Sequence, residues 1–105
     1  MELRKASGNF EIERLQYFLR RVKTLVDSGF GEDEILQVQR VAESMPIDSS
    51  KQLEFPIDFK GISTSLGITV FMDATECPEV SFLTHPDLSK SIEQQMICFF
   101  GEMSA

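Results

Sequence analysis

Between Leu53 and Met72 the chain alternates apolar and polar residues in two successive runs, and this stretch constrains the fold more than any other. Leu53, Phe55, Ile57 and Phe59 are apolar, with Gln52, Glu54, Pro56, Asp58 and Lys60 around them. A strand sends successive side chains to opposite faces, so this run reads as a strand with one buried and one wet face. Pro56 has no N–H to donate to a ladder, which places the strand at a sheet edge or at a bulge. Gly61 suits a tight turn. The alternation then resumes on the other parity at Ile62, Leu66, Ile68, Val70 and Met72, with Ser63, Ser65, Gly67 and Thr69 facing away. This second strand lacks proline and is the longest, so it reads as central, and Gly67 within it as a bulge or a close backbone approach. A third strand spans Val80 to Thr84, with Val80 and Phe82 on one face and Ser81 and Leu83 on the other.

Helical periodicity flanks these strands. Ile12, Leu15, Leu19, Val22 and Val26 recur at spacings of three and four, with Phe18 and Leu25 widening the stripe. The spacing predicts a helix from about Phe10, capped by Asn9 and closed by Ser28-Gly29, with Phe30 folding back onto its last turn. A second helix begins at Glu32-Asp33-Glu34, carries Ile35, Val38, Val41, Ala42 and Met45, and stops at Pro46. A linker of only about three residues makes the two an αα-hairpin. His85-Pro86-Asp87 starts a third helix with Leu88, Ile92, Met96, Phe99, Phe100 and Met103 on its stripe; MICFF at 96–100 also admits a strand. Residues 1–8 read as a loose tail.

The order ααβββα specifies an α+β, two-layer sandwich: a three-stranded antiparallel meander with the helices packed on one face. A chain of 105 residues is one domain's worth, and 42% hydrophobic against 26% charged residues is an ordinary globular balance. No apolar run follows the basic pair near the N-terminus, so the expected location is cytoplasmic, with no membrane contact. Two cysteines with no paired spacing are expected to be free thiols.

Charge is unevenly distributed. Residues 1–27 carry net +2 and residues 28–105 net −9, for −7 in total. An acidic body repels phosphate, so direct nucleic-acid binding is not expected. A helix-turn-helix reading of residues 10–45 fails on the same ground, because Glu32, Asp33 and Glu34 would lead the recognition helix toward the phosphates. Arg14, Arg20, Arg21 and Lys23 form the one basic concentration, read as a solvated helix face.

Chemistry-bearing residues are sparse. Cys77, His85 and Cys98 supply the thiols and the only imidazole, and a pocket near them is the alternative reading, a small-ligand-binding or cysteine-dependent enzymatic domain. Asp73, Glu76 and Glu79 offer oxygen ligands in the 73–79 turn without the calcium-loop spacing, so neither metal nor cofactor is expected. The leading expectation is a non-enzymatic, acidic protein–protein interaction module of adaptor, chaperone or inhibitor type, forming a homodimer. Its partner-binding positions are Phe71, Leu83, Ser65 and Thr69 on the sheet face turned away from the helices, with an edge strand as the other route. A third reading is an acidic inhibitor of a nucleic-acid-binding protein.

Overall fold

The computed structural model describes residues 2–73 and 77–104, with side chains as far as Glu102. Glu76, the middle of the 73–79 turn and the Met103 side chain therefore lie outside the described residues. Among the described residues seven elements follow one another: β1 (Arg4–Asn9), α1 (Ile12–Leu25), α2 (Glu32–Ser44), β2 (Ser49–Phe59), β3 (Ile62–Met72), β4 (Glu79–Thr84) and α3 (Pro86–Ser104). The class is α+β as expected, but the sheet has four strands rather than three, in the order β1-β4-β3-β2. All three pairings are antiparallel, and β2-β3-β4 form the meander.

The strand missing from the sequence reading is β1, which occupies residues expected to be loose. Ala6 faces the helices and is buried, whereas Lys5, Ser7 and Asn9 point to the other face. Its alternation lacks amplitude because α3 crosses close above it: a Cβ added to Gly8 would lie 3.2 Å from the Phe100 ring. Small residues are what the approach requires, and they erase the hydrophobic pattern. Arg4 anchors the start of the strand to α3 through Glu93 at 2.7 Å.

Asn9 does not cap α1. Its side-chain amide donates to the Cys77 carbonyl at 3.2 Å and ties β1 to the approach of β4, while Glu11 holds the N-cap position without a side-chain bond. Between them Phe10 enters the core, its ring 4.8 Å from Phe18 and 5.1 Å from Phe100. Phe18 in turn meets Phe82 of β4 and Phe99 of α3 at 5.8 and 5.5 Å. Aromatic contacts thus join α1, α3 and the sheet.

The end of α1 is also earlier than Gly29. The helix stops at Leu25, and the six residues 26–31 bend along the outer edge of β2, bridged to it at Ser28, rather than forming a three-residue hairpin turn. Asp27 N–H donates to the Asp58 carbonyl at 2.8 Å, and Asp58 N–H to the Ser28 carbonyl at 3.1 Å. Phe30 packs on Phe55 of β2 at 5.6 Å, in the same core that Leu25 and Val26 pack against.

Other expectations match. Pro56 sits on the edge strand β2, and β3 is central. Lys60 and Gly61, both at positive φ, form the two-residue hairpin turn between them. Residues 96–100 are helical, with Ile97 and Cys98 exposed off the stripe. Gly67 marks no bulge: the ladders run through it without a break, pairing it with Glu54 on one side and Leu83 on the other.

Candidate functional site

Strand parity decides which side chains reach the uncovered face of the sheet. Helices α1, α2 and α3 cover the face that carries Phe55, Ile57, Leu66, Ile68, Val70, Val80 and Phe82, all buried. The opposite face shows three complete cross-strand rows. The middle row is Gln52, Thr69, Ser81 and Ser7; on one side of it lies Ser50, Phe71, Glu79 and Asn9, and on the other Glu54, Gly67, Leu83 and Lys5.

Phe71 and Leu83 are 42% and 37% exposed, whereas core residues of the same strands are near zero. They stand two rows apart, on β3 and β4, with the short side chains of Thr69 and Ser81 between them. The result is a shallow trough of about 440 Å³, walled by the two apolar side chains and rimmed by Lys5 and Glu79. Thr69 is half-buried on the floor of the trough. Ser65 lies beyond the last complete row, also half-buried, with its carbonyl accepting the Thr84 hydroxyl at 2.7 Å. Three of the four expected partner positions therefore share one concavity, and Ser65 borders it.

Cys77, His85 and Cys98 are not brought together. Cys77 precedes β4 and His85 follows it, so the strand holds them on the order of 20 Å apart. The His85 ring lies 5.7 Å from Phe59, and its Nδ1 accepts the Asp87 N–H at 3.1 Å, which makes it part of the start of α3. Cys98 points outward from α3, and neither cysteine forms a disulfide. Cys77 and His85 thus stand at opposite ends of β4 and Cys98 on the exposed side of α3, which does not give the three the shared pocket expected for them. Among the described residues no three His, Cys, Asp or Glu side chains converge in a metal-ligand group.

A second concavity, of about 560 Å³, opens between α1 and α3, with Tyr17, Arg14, Arg21, Phe99 and Glu102 on its walls. Nothing in the sequence pairs these residues, which are some 80 positions apart. Although larger, the groove has walls whose arginines are already paired. Arg21 binds Glu102 at 2.6 Å while its guanidinium lies 5.1 Å over the Phe99 ring, and Arg14 pairs with Glu11 at 3.3 Å. The basic concentration of α1 is likewise paired at Arg20, which meets Glu32 at 3.1 Å.

No protein-family model, curated protein or solved structure matches the chain. The reading of the site therefore rests on its geometry. Among the described residues no helix is long and apolar enough to cross a membrane.

Proposed function

We propose that the protein is a non-enzymatic protein-interaction module that receives a protein partner on the open face of its sheet. The observation that carries this reading is the pair of apolar walls, Phe71 and Leu83, standing over short polar side chains on a face that no described element covers. Fully burying each would contribute about 1.5–3 kcal/mol, and large apolar side chains around a fitted trough are how interfaces concentrate affinity. The net charge of −7 disfavours a phosphate-bearing partner.

The face is a better docking surface than either sheet edge. The outer edge of β2 is bridged by Ser28 near its end and carries Pro56. Arg4 and Lys5 place positive charge on the β1 edge, where Arg4 is also drawn to Glu93. Proline, charge and covering loops are the usual guards against strand addition.

The test is photo-cross-linking in the protein's own cellular setting, with benzoylphenylalanine at position 71 or 83 and, as a control, at the more exposed but remote Ile97. Cross-links to a defined protein from 71 and 83, absent at 97 and lost at 83 when Phe71→Asp is introduced, support the reading. Absence of protein cross-links from both face positions overturns it.

A further inference from the structure

The face is complementary to itself. In the row Glu54, Gly67, Leu83 and Lys5, the acid and the base stand on the two outer strands, and the missing side chain of Gly67 adjoins the protruding Leu83. Glu54 and Lys5 are both exposed. We propose that the partner on this face is a second copy of the chain, related by a two-fold axis that runs parallel to the strands between β3 and β4. This rests on the sheet-face reading above.

Such an axis superposes each row on itself in reverse order. Leu83 then lies over Gly67 of the second copy, and Gly67 receives Leu83 in return, which is the reciprocity that a two-fold interface imposes. Lys5 meets Glu54 of the second copy, so two ion pairs close the ends of the row. In the middle row Thr69 faces Ser81 and Ser7 faces Gln52, all able to hydrogen-bond. Phe71 lies against the stem of Glu79. No like charges oppose one another in any of the three rows, although the chain as a whole is strongly acidic.

The dimensions suit a dimer. With 6 residues in each of β1 and β4 to set the length shared with the longer β2 and β3 of the second copy, the overlapping area is about 400 Å² of plane at usual strand spacings. Side-chain relief raises its accessible area above this, to the low end of the interface range, where about 800 Å² per partner is ordinary, so the dimer is one that dissociates on dilution. Two twisted sheets stacked with strands nearly aligned form a common sandwich arrangement.

The test is sedimentation velocity across a dilution series of the full chain and four variants. Lys5→Glu and Glu54→Lys should each weaken the dimer about tenfold or more, since each creates two like-charge contacts, and the double exchange should restore it to within about threefold. Gly67→Ala should weaken the dimer while leaving thermal stability unchanged or higher. The added Cβ lies 3.6 Å from the Leu83 carbonyl oxygen and 3.8 Å from Gln52 Nε2, ordinary contacts within the monomer, but it raises the floor on which the second Leu83 packs. A chain that stays monomeric into the high micromolar range overturns self-association, and cross-links from position 71 to a different protein would then leave the sheet-face reading standing. A dimer that Lys5→Glu and Glu54→Lys leave unweakened, or that the double exchange does not restore, overturns the proposed axis.

Discussion

At the scale of single residues, Gly29 shows how a correct local signal can have a different tertiary cause. Its φ of 97° is the left-handed conformation that glycine tolerates, and the sequence position suggests a helix cap. The structure places it four residues beyond the end of α1, where an added Cβ would fall against the Pro56 carbonyl oxygen and 2.8 Å from Ile57 Cα. Gly61 also has positive φ, 78°, but open space around it. Alanine at the two sites should therefore differ. Gly61→Ala carries only the conformational cost, about 1 kcal/mol, while Gly29→Ala must also push the 26–31 segment off the β2 edge and should cost at least about 2 kcal/mol. Urea unfolding of both variants measures the difference; equal losses would mean that the close approach to β2 contributes nothing. Asn9 was misleading for a related reason. Its side chain suits a helix cap, yet the Cys77 carbonyl, 68 positions away, is what it binds.

At the scale of elements, the four segments with strong periodicity, α1, α2, β2 and β3, were legible because each announces its buried face through its own side chains. Strand β1 was not. Arg4, Ala6 and Gly8 are the residues that face the helices, and none is a large hydrophobe. The strand becomes visible only through its pairing partner β4 and the helix above it. Two substitutions on adjacent residues test its role. Ala6→Asp would bury a carboxylate under the helices and should cost about 3 kcal/mol or more, while Ser7→Asp, on the open face, should stay within about 0.5 kcal/mol. A loose N-terminal tail would make both substitutions neutral in thermal denaturation. The trough follows from the same logic as β2 and β3: strand parity alone places Phe71, Leu83 and Thr69 on the exposed face. The α1–α3 groove does not, since helix stripes tell which face is buried but not which helices become neighbours.

At the scale of the whole molecule, one core connects the layers. Phe10, Phe18, Phe82, Phe99 and Phe100 link the segment after β1 to α1, β4 and α3, and Phe18, fully buried, touches three of the others. Such a core should fail as a unit. Phe18→Ala should lower stability by about 3–5 kcal/mol. In the unaltered chain, urea unfolding followed by far-ultraviolet circular dichroism should coincide with that followed by the fluorescence of Tyr17, the only tyrosine, in a chain without tryptophan. Transitions at separate urea concentrations would divide the molecule into independent parts and contradict the shared aromatic core.

The sequence by itself determined the α+β class, the three helices, the buried parity of β2, β3 and β4, and hence which side chains remain on the open face of the sheet. These follow from periods of 2 and 3.6 residues, which are local and carried by the residues themselves. Tertiary structure alone decided that residues 4–9 form a fourth strand, that residues 26–31 run along the β2 edge, that Cys77, His85 and Cys98 lie apart, and that Glu54 and Lys5 end the same row. Each of these depends on segments distant in sequence coming together, and no single segment carries the pattern of its partner.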